Sequence, residues 1–224
     1  SLPAMSASRR GVPVPPEAPR RIERESVEFG RIAGLSDGIF AIAMTLLVLG
    51  LEVPDVGAAP LVEQLLGRVP NLIAFALGFA LVANVWWFHH KFVGQLAWFD
   101  PTMKRLNLLL LGLVALAPFP TGLVGVAPTE RAAVVPFVVL FIALTGLALA
   151  MVKHAQAVGA WRWPLSPALF RWVQAGWLAS LALHVVALMI AFWLPVGALV
   201  AMTLSGTADA LITRNAPRGY REWG

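Results

Sequence analysis

Cysteine is absent from all 224 residues. No disulfide, thiolate metal site or cysteine nucleophile can therefore be built. Charge is scarce as well. Asp, Glu, Lys and Arg make up 13% of the chain, against roughly 25% in a soluble domain. Histidine is limited to His89, His90, His154 and His184, and none falls in a HExxH or similar metal-binding spacing. There is no P-loop and no GxGxxG opening a helix after a strand, and the GxSxG spacing at 34–38 falls inside an apolar run rather than at a strand-to-helix turn, so an enzyme has nothing to stand on. Neither a metal nor an organic cofactor is expected. The TVGYG segment of a carbonyl-lined potassium filter is missing. So is the arginine repeat of a voltage sensor. No halves with interrupted helices at matching places stand out, which disfavours an inverted-repeat transporter plan.

What the chain has instead is long apolar runs. Hydrophobic residues make up 58%, and mean hydropathy is +0.75. Six runs, at 33–51, 70–90, 106–126, 132–152, 171–191 and 194–213, are each about the length that crosses a ~30 Å hydrocarbon core as a helix. They are continuous rather than alternating, unlike the strands of an outer-membrane barrel. The sequence therefore predicts an all-α integral membrane protein with six transmembrane helices in one compact bundle over residues 28–213. Residues 1–27 are polar and rich in Pro, Arg and Glu. They read as a disordered tail without the apolar core of a signal peptide. Residues 214–224 form a second short tail.

Net charge is +5 and the pI about 10.7. In a soluble protein such a balance would suggest nucleic acid; between membrane spans its placement matters more, and no nucleic-acid partner is expected. With the N-terminus in the cytoplasm, every Lys and Arg except Arg68 and Arg131 falls on the cytoplasmic side. This is a positive-inside pattern for a multi-pass protein of the cell (inner) membrane with both termini cytoplasmic. Trp86, Trp87 and Trp98 bracket the end of span two, and Trp161, Trp163 and Trp172 precede span five. They read as an aromatic belt at the headgroups. Pro118 and Pro120 fall late in span three, where they should kink or end the helix. The segment is then either a shaped end lining a vestibule or a plain terminator.

Ionisable residues at membrane depth mark functional sites by default. The densest group opens the first span, where Arg31, Ser36 and Asp37 precede an unbroken apolar run. At 100° per residue, Ile42, Leu46 and Leu49 share one stripe with Ile39 beside them. Ser36 and Asp37 lie about 120–140° from Ile42, so the two sets cannot face the same neighbour. Asp37 needs partners within the subunit or at a subunit contact, and His89, His90 and Asn107 are at the right depth. The His89/His90 pair, with Asn84 one turn earlier, reads either as a proton-sensitive hydrogen-bonding site or as a half-wet interfacial pair. His184 and Asp209, in spans five and six, read as polar residues satisfied between helices. The wheel alone does not say what the Ile/Leu stripe does.

Arg31, Leu35, Ser36, Asp37 and Gly38, followed by IFAIAMTLLVL, resemble the Arg-x-x-x-Phe-Ser-Asp signature of one channel family: the prokaryotic relatives of the lysosomal potassium channel transmembrane protein 175. NVWWFHHKF at 84–92 and LNLLLLGLVALAPFPTGL at 106–123 are also similar to that family. Leu35 departs from the pattern, standing where the signature has Phe. The resemblance implies a six-helix subunit, a homotetramer, and a central pore lined by the first span of each subunit. It implies potassium selectivity without a carbonyl filter, with Ile42, Leu46 and Leu49 as constricting side chains and Thr45 beside them. Arg31, Ser36, Asp37, His89, His90 and Asn107 would form a structural polar network. The rival readings are a proton-coupled secondary transporter using Asp37 and His89/His90, and a non-conducting scaffold.

Overall fold

The computed structural model describes residues 21–55, 57 and 60–203. The elements run β1 (Ile22–Glu23), α1 (Val27–Leu46) with a 3-10 turn (Leu47–Gly50), α2 (Leu61–Gly67), α3 (Val69–Gln95), β2 (Trp98–Phe99), α4 (Pro101–Leu116), α5 (Pro118–Val126), α6 (Arg131–Val158) and α7 (Pro167–Ala191). A further helix starts at 195 and reaches 203, the last described residue. Among the described residues, five helical stretches are long and apolar enough to cross a membrane: Val27–Gly50, Val69–Gln95, Pro101–Val126, Arg131–Val158 and Pro167–Ala191. They match the first five expected spans, each extended by a few polar or interfacial residues. Half of the expected sixth span, Asp209 and both outer tail segments lie outside the described residues.

Helix starts and stops follow local chemistry. Ser26 caps α1, its Oγ accepting from Phe29 N at 3.2 Å. Asp100 caps α4, accepting from Met103 N at 2.6 Å, and Pro101 follows at the first helical position, where its missing N–H is harmless. Ser166 and Pro167 repeat this arrangement at α7. Gly159 ends α6 in the left-handed region at φ 68°, which a side chain would resist. Pro118 separates α4 from α5. Ala117 N–H turns back to Val114 O at 3.1 Å, so the third span is a broken helix, as the proline predicts.

Residues 21–27 are not a disordered tail. Ile22 pairs with Phe99 and Glu23 with Trp98 in an antiparallel two-stranded strap, and Ile22 is buried. Arg24 N–H bonds Ala97 O at 2.9 Å, and Ala97 N–H bonds Ala160 O at 2.8 Å. The Arg24 guanidinium donates to Val93 O and Leu96 O, both at 3.1 Å, satisfying carbonyls that α3 leaves open at its end. Burial lowers the Arg24 pKa from its ordinary value, and Arg162 adds to the effect. His154 Nε2 donates to Asp100 Oδ2 at 2.9 Å, joining the end of α6 to the start of α4. The start of α1, the end of α3, the start of α4 and the end of α6 are thus stitched together. This end also carries Lys91, Lys104, Lys153 and Arg162, so the strapped end is the basic end that the charge pattern assigned to the cytoplasm.

The core sits around α6, whose apolar window is 56% buried, against 22% for the first span and 17% for α7. Phe137, Phe141, Leu144, Ala148 and Met151 of α6 are closed off from solvent. Not every Trp belongs to a plain headgroup belt. Trp163 is exposed, but Trp98 and Trp161 are buried, the latter edge-on to Phe92 at 5.7 Å between ring centroids.

Candidate functional site

The first span buries one face only. Phe29, Ser36, Phe40, Ala43 and Leu47 are buried, and their spacing of seven, four, three and four residues is one helical stripe. Ile42 is 60% exposed, Leu46 41% and Leu49 72%, and Thr45 is exposed with them. Ile39 is only partly covered. The Thr45 hydroxyl donates to Ile42 O at 2.8 Å, which leaves its oxygen lone pairs available.

Beneath the packed face lies a chain of hydrogen bonds through three helices. Ser36 Oγ donates to Ile32 O at 2.9 Å within α1. Asn107 of α4 donates through Nδ2 to Ser36 Oγ at 3.1 Å. With Nδ2 so used, Asn107 Oδ1 is the acceptor facing His89 Nε2 at 2.7 Å, so His89 carries its proton on Nε2. Ser36, Asn107 and His89 are all buried. A buried polar chain whose members satisfy one another specifies how its helices pack. The His89 ring also rests 5.4 Å from that of Phe40.

Asp37 faces α3 as well, but less deeply. Trp86 Nε1 donates to Asp37 Oδ1 at 3.0 Å. His90 Nδ1 stands 4.0 Å from the same oxygen, with both side chains about half exposed. The structure thus joins Ser36, Asn107 and His89 by hydrogen bonds and sets Asp37 apart from them, on Trp86 with His90 nearby. Arg31 is not part of either set. Among the described residues it is exposed and without an ion pair or hydrogen bond, because it projects near the Ile42 direction, away from Asp37. Trp86, which its position in the sequence assigns to the aromatic belt, is a direct partner of Asp37. Its place three and four residues before the two histidines, on one face of α3, was the available signal.

Toward the end opposite the strap, a cleft of about 990 Å³ opens beside the exposed stripe. Leu46 and Leu49 form one wall, and Phe119 and Leu123 of α5 another, while Glu52, Arg68 and Asn71 supply the polar rim. Arg68 Nη1 donates to Glu52 Oε2 at 3.1 Å. The segment after Pro118 thus lines a cleft as well as ending a helix. Glu52 and Arg68 did not stand out in the sequence, although Arg68 is one of two cations outside the basic end. On the strapped side a smaller cavity, about 260 Å³, is lined by Arg24, Phe29, Asp37, His89 and His90. Among the described residues no cluster of His, Asp and Glu could hold a metal ion.

Comparison with known proteins follows the same residues. The family model described as endosomal/lysosomal potassium channel TMEM175 matches residues 31–118, from the signature arginine to the proline break. A potassium channel of Chamaesiphon minutus is 39% identical over 137 residues, covering 58% of this chain and 68% of that protein. One from Streptomyces collinus is 36% identical over 125 residues, covering 55% of this chain and 61% of its own length. The crystal structure of a lysosomal potassium-selective channel TMEM175 homolog from Chamaesiphon minutus superposes with a TM-score of 0.73 at 30% identity, over 83% of this chain and 98% of that one. The chain belongs to the TMEM175 potassium-channel family, a family of ion channels and not of enzymes.

Proposed function

We propose that this protein is a potassium-selective channel, a homotetramer in the cell membrane with both termini cytoplasmic, in which the first span of each subunit lines a central pore. The observation that carries this is the two-faced first span. One face is locked to α3 and α4 through Ser36, Asn107 and His89. The other presents Ile42, Thr45, Leu46 and Leu49, all exposed among the described residues. Four such faces around an axis enclose a path that one helix cannot.

Ile42 forms the narrowest ring, with Leu46 and Leu49 toward the outside. Apolar side chains give an ion no ligands, so passage requires shedding water at a cost. Potassium holds its hydration shell less tightly than sodium and passes more readily. A ring of this kind also dewets easily, which makes it a gate. Thr45 sets a hydroxyl oxygen between the apolar rings. No bound cofactor takes part; potassium is the permeant species.

Ile42→Asn tests the proposal. Four amides in place of four sec-butyl groups keep the constriction wet, so potassium current rises and the reversal potential in mixed potassium and sodium shifts toward sodium permeation. Val48→Asn, about 120° away on the wheel, is the control and changes permeation less. An assembled Ile42→Asn channel with unchanged conductance and reversal potential removes this face from the pore. The proton-coupled transporter is separated by flux in liposomes, where a channel moves potassium without a fixed proton stoichiometry.

A further inference from the structure

His184 takes no part in the clamp or the exposed stripe, yet it is buried near the middle of α7. Its Nδ1 lies 2.7 Å from Ser180 O. A carbonyl oxygen only accepts, so the proton of the neutral ring is on Nδ1 and Nε2 carries a lone pair. Among the described residues, Nε2 is the buried side-chain atom left without a hydrogen-bond partner. Buried polar atoms in native proteins are almost always paired, with protein or with ordered water.

The same nitrogen borders a small cavity. It is lined by Asn84 of α3, Thr145 of α6, and Gly176, Ser180 and His184 of α7, and leaves about 20 Å³ for the centre of a water molecule. That is enough for one water and too little for an organic ligand. The polar residues each sit near the middle of their helix, at a depth where bulk water is absent. We propose that this cavity is a binding site for one internal water, which donates to His184 Nε2 and joins α7 to α3 and α6.

The surrounding groups suit a water better than the alternatives. Thr145 Oγ1 donates to Phe141 O at 2.7 Å, so its lone pairs are left to accept the water's second hydrogen. The Ser180 hydroxyl and the Asn84 amide border the space as donors. This meets the two to four polar partners that an internal water requires. A metal ion would find one nitrogen and no carboxylate, too few ligands and no compensating charge. A dry cavity is an apolar one, and this one is not. The site also gives α7, with the smallest buried share of the five spans, a polar attachment at mid-membrane.

The test uses the full chain in liposomes, labelled with ¹⁵N-histidine and ¹³C-phenylalanine, by solid-state NMR with magnetisation started on water protons. The His184 signal is identified by its loss in His184→Gln. The expected result is a ring protonated at Nδ1 and accepting at Nε2. It should receive magnetisation from water at mixing times that leave the buried Phe137 and Phe141 rings dark. Thr145→Val keeps the side chain's shape and removes the oxygen that accepts the water's second hydrogen. Transfer to His184 should then slow. Transfer to His184 no faster than to Phe137 in the native protein overturns the proposal. So does a proton on Nε2, or transfer that Thr145→Val leaves unchanged. A native signal that is dry and changes its Nε2 shift in Asn84→Ala assigns the donor to Asn84 instead. None of these readouts depends on ion flux.

Discussion

At the scale of single residues, Ser36 and Asp37 are neighbours in sequence with different roles. Asn107→Leu should be the more damaging change in the clamp, since it strands the His89 Nε2–H and one side of Ser36 Oγ. Leaving a buried group unpaired costs about 1–3 kcal/mol. Asp37→Ala removes an acceptor that is half exposed, so it should cost less, under about 1.5 kcal/mol. Thermal unfolding of the two variants in the same detergent checks the order; a lower midpoint for Asp37→Ala would place the weight of the clamp on Asp37. Gly78 gives a second residue-level prediction. A Cβ there would sit 2.6 Å from Thr121 Cγ2 and 2.8 Å from Thr121 Oγ1, and Thr121 is held by its bond to Ala117 O at 2.8 Å. Gly78→Ala should destabilise by about 1–3 kcal/mol through overpacking. Adding Thr121→Ala should recover much of this, and additive losses in the double-variant cycle would contradict the close approach.

At the scale of elements, the strap from β1 to β2 fixes where α1 enters the membrane. Its register puts Ile22 under the bundle and Arg24 on the open carbonyls of α3. Hydrogen bonds from a charged donor contribute about 1.5–3 kcal/mol. Arg24→Met keeps an unbranched apolar stem and removes the donors, together with the guanidinium 5.4 Å from the Phe29 ring centre. Amide exchange should then speed up over residues 92–97 and stay unchanged in α5 at the far end. Uniform protection at 92–97 would show that the strap, not the guanidinium, holds that end. The break at Pro118 was legible in the sequence because proline removes a donor and clashes with the preceding turn. That α5 then turns to wall a cleft beside Leu46 and Leu49 was not legible, because this depends on where α3 and the 3-10 turn stand.

At the scale of the whole molecule, the first span leaves an apolar stripe exposed among the described residues. The proposed tetramer would cover it through closed cyclic symmetry. Cross-linking in mild detergent should build bands up to four subunits and stop there. Leu35, which is exposed where the family signature has an aromatic residue, should tolerate Leu35→Phe with the tetramer intact. A monomer or dimer that still conducts would exclude the central pore.

Membrane class, the first five spans, the basic end and the opposition of the Ser-Asp pair to the Ile/Leu stripe were determined by the sequence alone. These are one-dimensional properties: run length against bilayer thickness, charge against loop position, and angle at 100° per residue. The partners were decided by tertiary structure. Asn107 reaches Ser36 across 71 positions, Trp86 leaves the aromatic belt for Asp37, Arg31 stays out of the clamp, and Ile22 and Arg24 join the fold. In spans where nearly every residue is apolar, periodicity says little about which face meets protein. Only the neighbouring helices settle that, because a buried polar group is stable where another group at the same depth completes its hydrogen bond.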